Sequence, residues 1–478
     1  MLSKRLFLVL LSCMALLSGL HFVVISSVIP REGNERPPGI MVGMSNPAAV
    51  YCLEMGYEYE IADGPSGQRG ICIFPDGSRC DAWDFLEGKC GQEHSYCAVH
   101  GYDLQTRADG KDAFSREYAV CVSRQGTEIG SVTELFDLRE KVGAESIRPG
   151  TIMDDSKAGK SSSSFKAPPS FDWRNHNGHD WMTAVKNQGS CGSCWGFGAV
   201  GAVEAMYNYR ENDYDLDLDL SEQYLVSDCH NYAGYQNCCG GYAYKAFEFI
   251  RDQGIPDEDC MPYVDISGCT CYPDTCKDDC NYKIGGACSD VTCSDRCPDW
   301  PERLVSIDEY GTVPSDIETI KSLLIEKGPL TAGMRMSGYW DGDIYRCDPD
   351  APGNHYVVIA GYDDAGGYWI IKNSYGPGFQ EDGYFKVGYG ECSIEQWVYY
   401  ADKEMTCGDV KADQQVDIGD LVYLTNYLYK EGPEPECGPI TACGDVNLDA
   451  TVDIADVVYL VNYLYRSGTE PCSPVLGS

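Results

Sequence analysis

KNQGSCGSCWGFG, Lys186 to Gly198, is the stretch on which the fold turns. A cysteine followed by Trp sits in a run of small residues. The continuation AVGAVEAMYNYR, Ala199 to Arg210, has good helix formers and apolar residues at i, i+3, i+4 spacing. Cys194 is therefore expected at a helix N-terminus, where the positive end of the dipole favours a thiolate. Gln188, six residues earlier, can offer a side-chain N–H to a developing oxyanion. The competing reading makes Cys191 and Cys194 a redox or metal CxxC pair. Two later stretches bear on that choice: NHYVVIAGY at Asn354–Tyr362 supplies a histidine, and WIIKNSYGPGF at Trp369–Phe379 an asparagine.

Read alone, His355 precedes a buried strand and could equally be a core histidine. Asn373 alone could be a turn residue before Ser374-Tyr375-Gly376. His176, His179 and His230 are rival bases outside any matching motif. Helical patterns occupy 194–210 and 243–253. Strand-like runs occupy Tyr356–Tyr362, Tyr368–Lys372 and Gly383–Val387, with Gly-rich turns between them.

These stretches, with SFDWR at Ser170–Arg174, LSEQYLVSDC at Leu220–Cys229 and CCGG at Cys238–Gly241, form an ordered set. The chain resembles the papain-like cysteine peptidases (the papain/cathepsin family) from about Pro168 to Asp402, roughly half its length. The resemblance implies an α+β, two-lobed domain: a helical lobe, a β-barrel-like lobe, and an active site in the cleft between them. It implies that Cys194 is the nucleophile and His355 the base, the two forming a thiolate–imidazolium pair. Asn373 orients the imidazole. Gln188 and the Cys194 backbone N–H form the oxyanion hole. The substrate is then an extended protein or peptide segment, cut through a thioester acyl-enzyme, with no cofactor for catalysis. Carried over by motif, the substrate-binding residues are Gly240, Gly241, Tyr242, Ala243, Gly333, Asn354 and Trp397. Trp397 is placed at the floor of the S2 pocket, which predicts apolar P2 residues. The family's NSWG…GWG stands here as NSYGPGF, and Tyr375 and Phe379 keep the ring character that would shield the His–Asn hydrogen bond. The resemblance also implies Cys191–Cys238 and Cys347–Cys392 disulfides, with Cys229 pairing into the Cys260/Cys269 region. Cys239 stands where the family usually has Asn, which leaves its partner open.

The formal net charge of −38 over 478 residues argues against nucleic acid or an anionic membrane as partner. The first 30 residues, with Lys4 and Arg5 before a long apolar run, read as a signal peptide or an uncleaved N-terminal anchor. Leu10-Leu11-Ser12-Cys13 also has the form of a lipoprotein cleavage box. There are 26 cysteines. Apart from Cys13 and Cys194, they fall as six in the N-terminal region, fourteen in the central domain and four in the tail. Three even counts point to disulfides in an oxidising compartment. Seven cysteines between Cys269 and Cys297 mark a cysteine-rich insertion at 260–297. Disulfide knotting fits it better than a metal cluster, because no CxxC pair recurs with zinc spacing.

Residues 31–45 are Pro/Gly-rich and read as a flexible lead-in. A cysteine module follows at 45–140. Its first part, NPAAVYCLEMGYEYEI and GICIFPDGSRCDAWDFLEGKC, resembles a short bacterial module of unknown function that carries a haemolysin label. A degenerate second copy follows, with Tyr96-Cys97 echoing Tyr51-Cys52. Cys52–Cys72, Cys80–Cys90 and Cys97–Cys121 would be an economical pairing, and spacing leaves it open. The region is a pro-region candidate without the helical ERFNIN-type pattern of related zymogens, so any inhibition would use another fold. A Ser-rich linker at 141–167 is the expected processing site. The peptidase then runs from 168 to 403.

The tail, 406–473, is an internal repeat: CGDVKADQQVDIGDLVYLTNYLYKEG recurs 36 residues later as CGDVNLDATVDIADVVYLVNYLYRSG. Acidic side chains crowd each loop before an apolar helix, and a hard cation would relieve their repulsion. The tail resembles a type I dockerin, two calcium-loop-plus-helix half-EF-hands. The resemblance implies Ca²⁺ ligands Asp409, Asp413, Asp417 and Asp420 in one loop. In the other they are Asp445, Asn447, Asp449, Asp453 and Asp456. Lys411 stands where a ligand is expected, so the first site should be weaker. The competing reading is an acidic two-helix hairpin without metal. Four cysteines, Cys407, Cys437, Cys443 and Cys472, would clip the module.

Together these features predict a secreted or surface-held cysteine endopeptidase with a calcium-binding tail and a cohesin-like docking partner. No nucleic-acid partner is expected, and contact with a membrane only through an N-terminal anchor. The alternative is a catalytically weak or silent papain-fold binding or scaffold component displayed through its dockerin.

Overall fold

A computed structural model describes residues 43–142, 167–403 and 407–471. The exceptions are 212, 217, 230–235, 239, 265–290, 348, 350–352, 412–414, 431, 434–442, 448–450 and 469–470. The expected signal or anchor, most of the linker, His230, Cys239, most of the cysteine-rich insertion, Asp413, Asp449, Cys437 and Cys472 lie outside the described residues.

The N-terminal module is built twice from one pattern, a short helix and three antiparallel strands. In the first copy Asn46 caps the helix Pro47–Glu54 by accepting from the Ala48 N–H, with Pro at the first helical position. Strands β1 (Glu58–Gly64), β2 (Gly67–Ile73) and β3 (Arg79–Asp81) follow. In the second copy the turn of helix Tyr96–Val99 leads into β4 (Asp103–Arg107), β5 (Tyr118–Val122) and β6 (Glu128–Ser131). Cys52–Cys72, Cys80–Cys90 and Cys97–Cys121 are the disulfides. Tyr51 packs on Phe85 and edge-on to Phe136, which joins the two copies through one aromatic core.

The central domain has mixed helices and strands. Helix Cys194–Arg210 is buried on nearly every side, which explains an apolar pattern that barely distinguishes its faces. Helices Glu222–Val226 and Ala243–Gln253 pack on it. The other half is a nine-stranded sheet. Its strands are β7 (Ser170–Asp172), β8 (Glu309–Val313), β9 (Leu330–Met334), β10 (Tyr339–Asp341), β11 (Ile344–Arg346), β12 (His355–Asp363), β13 (Tyr368–Lys372), β14 (Tyr384–Gly388) and β15 (Trp397–Asp402). The order is β10-β11-β14-β13-β12-β9-β15-β8, with β7 also pairing β12. The central helix packs against β12, so helix start and strand start meet at one end of the interface.

Cys191–Cys238 and Cys347–Cys392 are bonded as the family resemblance implies. Cys229 departs from expectation, pairing with Cys293 rather than in the Cys260/Cys269 region. Cys260 is taken by Cys297, whose backbone N–H donates to the Cys260 carbonyl, so the two ends of the insertion are stapled together.

In the tail, helices Ile418–Lys430 and Ile454–Arg466 share a small core of Val410, Leu424, Cys443, Val446 and Leu460. Among the described residues no helix is long and apolar enough to cross a membrane.

Candidate active site

Cys194 is the first residue of the central helix, and His355 is the first residue of β12. Asn373 directly follows β13, which pairs antiparallel with β12. This pairing sets the His355 Nε2 against the Asn373 Oδ1 at 2.8 Å. The imidazole Nδ1 is buried with no hydrogen-bond partner among the described residues, and Cys194 is the one free thiol among the described cysteines. Tyr375 stacks on the imidazole at 4.9 Å, with Phe379 edge-on to Tyr375, and both rings are fully buried.

The Gln188 side chain is held from two directions. Its Oε1 accepts from the Ser374 Oγ at 2.6 Å, and its Nε2 donates to the Cys191 carbonyl at 2.7 Å. The Tyr263 hydroxyl donates to the Gln188 carbonyl at 2.9 Å. Beneath it, Lys186 is buried with its Nζ 2.8 Å from Glu204 and 3.2 Å from Glu222. The charged cluster anchors the start of the motif, because leaving one of these buried partners alone would be strongly destabilising.

Of the expected substrate-binding residues, Asn354 directly precedes His355, and its Oδ1 accepts from the Met336 N–H. Gly333 on β9 pairs with both Tyr356 and Trp397, bringing β12 and β15 to one place. Gly241 lies against the Trp195 ring, so a side chain there would collide with it. Gly240 lies beside it in the chain, and its N–H donates to the Asn237 carbonyl. Tyr242 and Ala243 lead into helix Ala243–Gln253. The rivals His176 and His179 lie apart, paired with each other through an isolated bridge and packed on Trp173 and Tyr214 respectively.

Residues 43–45, expected to be a flexible lead-in, lie in the cleft. The Gln188 Nε2 donates to the Met44 carbonyl at 2.9 Å, and the Met44 N–H donates to the Asn354 carbonyl at 3.1 Å. Cys194, His355, Gln188 and Met44 are all wholly buried. Burial changes the electrostatics. It pushes the Cys194 thiol up to about 11, partly offset by hydrogen bonds from nearby backbone, Met44 among them. It pushes the His355 imidazole down to about 4, partly offset by Asn373. Burial in the covered site thus opposes the expected ion pair and favours the neutral thiol and imidazole. A helix dipole contributes about 1 kcal/mol, whereas full desolvation shifts such groups by as much as about 3–5 pKa units.

Sequence reasoning passed over Ser374, Tyr263 and the Met44 segment. Ser374 lies inside the NSYG motif and was within reach. Met44 carries no local signal.

A thiol at a helix start, an imidazole nitrogen free to take its proton and an amide donor on the same spot can together run acyl transfer. The family model for papain family cysteine proteases matches residues 167–402. A domain of unknown function (DUF333) matches residues 43–89. Cathepsin B-like CP2 of Giardia intestinalis is 32% identical over 246 residues, covering 48% of this chain and 73% of that protein. The viral cathepsin of Adoxophyes honmai nucleopolyhedrovirus is 36% identical over 226 residues, covering 46% and 57%. Cathepsin S of Mus musculus is 32% identical over 256 residues, covering 50% and 65%. With motifs, the His355–Asn373 hydrogen bond and relatives in agreement over the same residues, this chain belongs to the papain family and is a cysteine peptidase.

Proposed function

We propose that this chain is an exported cysteine endopeptidase in which Cys194, His355, Asn373 and Gln188 carry the reaction. The observation that supports this most is the His355–Asn373 hydrogen bond. It occupies Nε2 and leaves Nδ1 open as a proton acceptor, while the backbone of the next residue, Tyr356, reaches the free thiol. In the open enzyme His355 takes the Cys194 proton, and the sulfur attacks the peptide carbonyl carbon. Gln188 and the Cys194 backbone N–H stabilise the oxyanion. The C–N bond breaks as imidazolium protonates the leaving amine. Water then hydrolyses the thioester and restores the thiol. Export accords with a disulfide-rich chain. The test is hydrolysis of a peptide substrate and labelling by an epoxide thiol inhibitor. Both should be lost in Cys194→Ala, and near-normal turnover of that variant would refute the assignment.

The same proposal gives the tail calcium and a docking partner. Asp420 and Asp456 are fully buried, and each accepts two backbone N–H bonds from its own loop. The donors are Lys411 and Asp417 in one repeat, Asn447 and Asp453 in the other. Asp409 and Asp445 are buried beside them. The described residues of both repeats thus hold an inward carboxylate in the same register, which suits an oxygen-ligated cation. Ligands would come from Asp409, Asp413, Asp417 and Asp420, and from Asp445, Asn447, Asp449, Asp453 and Asp456. In the first loop the Lys411 Nζ lies 3.4 Å from the Asp417 Oδ1, an internal countercharge that would compete with a metal. Ile418, Val422 and Tyr429 recur as Ile454, Val458 and Tyr465, all between 51% and 58% exposed. A duplicated apolar face of this kind suits a cohesin-like protein partner. Calcium-dependent pull-down by a cohesin-like domain tests it, and capture that survives chelation would count against it.

A further inference from the structure

Met44 makes the two backbone bonds that a residue on the acyl side of a scissile bond would need. Its N–H is held by the Asn354 carbonyl, next to His355, and its carbonyl oxygen is held by the Gln188 amide. The backbone of Met44 also lies against the Cys194 thiol. Gly43 passes so close to Gly192 that a Cβ at position 43 would lie 1.7 Å from the Gly192 oxygen, so only glycine fits this path.

Beyond Met44 the chain is clamped as a leaving group. The Ser45 N–H donates to the Val142 carbonyl at 3.2 Å, and the Ser45 Oγ donates to the Ser190 carbonyl at 2.6 Å. The Asn46 N–H donates to the Gly189 carbonyl at 3.0 Å, and its Nδ2 to the Asn187 Oδ1 at 3.0 Å. Trp83 and Gln68 continue the contact on the same side, through the Tyr375 and Val185 carbonyls.

We propose that the Met44–Ser45 peptide bond is a cleavage site for this chain's own Cys194, cut within the same molecule. The proposal rests on the peptidase reading above. The Cys194 sulfur bonds to the Met44 carbonyl carbon, and the bond to the Ser45 nitrogen breaks. His355 passes the thiol proton to that nitrogen. Water then converts the Met44 thioester to a carboxylic acid and returns the proton to sulfur. The module stays docked through Asn46, Trp83 and Gln68, with Ser45 as its new N-terminus. Because the new amine is held where it formed, its return to the thioester competes with water, and net cleavage is slow. Neutrality of the thiol and imidazole in the covered site slows it further.

The test follows the purified full chain at neutral pH by intact mass and N-terminal sequencing, in wild type, Cys194→Ser and Gly43→Val. Wild type should acquire an N-terminus at Ser45 with a first-order rate independent of protein concentration. Cys194→Ser should remain whole. Gly43→Val, which cannot seat against Gly192, should cut Met44–Ser45 about 100-fold more slowly while hydrolysing an added peptide faster than uncut wild type. Wild type that leaves Met44–Ser45 intact while Gly43→Val hydrolyses the peptide would overturn the self-cleavage and spare the peptidase reading. Cleavage in Cys194→Ser, or a rate that scales with concentration, would also overturn it. If no form hydrolyses the peptide, the peptidase reading itself falls, and the self-cleavage with it.

Discussion

Replacing Trp83 with alanine should uncover the active-site thiol. Trp83 is buried, its Nε1 donates to the Tyr375 carbonyl at 3.1 Å, and its ring meets Phe379 at 5.0 Å and Tyr375 at 6.1 Å. All three contacts cross from the N-terminal module to the peptidase. An aromatic pair contributes about 0.5–1.5 kcal/mol beyond area burial, and a hydrogen bond about 1 kcal/mol. Their sum is about 3 kcal/mol, or roughly 100-fold in the equilibrium between closed and open cleft. Cys194 is wholly buried when closed, so alkylation must follow opening. Trp83→Ala should therefore be alkylated about 100-fold faster than wild type at neutral pH. Cys194→Ser serves as the blank, because the other described cysteines are disulfide-bonded. The assay reads incorporated mass, and circular dichroism checks that the variant is folded. An unchanged rate in a folded variant would show that the module does not guard the thiol.

Acid should open the cleft. His355 is held down to about 4 in the closed site against an ordinary 6.5, so with Cys194 still a thiol the open form binds the proton more readily. The closed form keeps its full advantage above 6.5 and loses about 1.4 kcal/mol per pH unit below it, about 3 kcal/mol by pH 4. A pyridyl disulfide probe that reacts in acid should label Cys194 faster as pH falls through this window, and a flat profile would refute the coupling. The raised Cys194 thiol acts at the other end, with closure weakening from pH 9 toward about 11. Asn373→Ala should lower peptide hydrolysis while leaving alkylation of the opened enzyme measurable. His355→Ala should abolish hydrolysis, and equal alkylation rates for opened wild type and opened His355→Ala at mildly acidic pH would exclude an ion pair. In calcium titration the loop at Asp445 should bind more tightly than the loop at Asp409, and Lys411→Asp should narrow the gap. Two equal sites in the unaltered chain would remove the role given to Lys411, while chelation should loosen the tail and leave hydrolysis intact.

What was legible in the sequence was local or repetitive. The helix after Cys194 showed in its spacing. β12 and β13 showed as apolar runs, and the tail repeat as plain self-similarity. Two module disulfides tie a strand to the helix that precedes it, and the third ties β3 to the bend at Cys90, all across short separations, so neighbours in sequence are neighbours in space. The proposed catalytic residues were readable through a family's ordered motifs, since no periodicity links Cys194 to a histidine 161 positions later. Only the tertiary structure decided the rest. Cys229 pairs with Cys293, while Cys260 pairs with Cys297 across the ends of the insertion. The charge state of the thiol and imidazole depends on what covers them, and helix position alone pointed the other way. The cover is a glycine, a methionine and a serine from a stretch whose composition suggests flexibility. Backbone groups hold Met44 to Gln188 and Asn354, and every residue type but proline carries those same groups. The Met44 contact therefore left little trace in residue type until the folded module brought Met44 to the thiol.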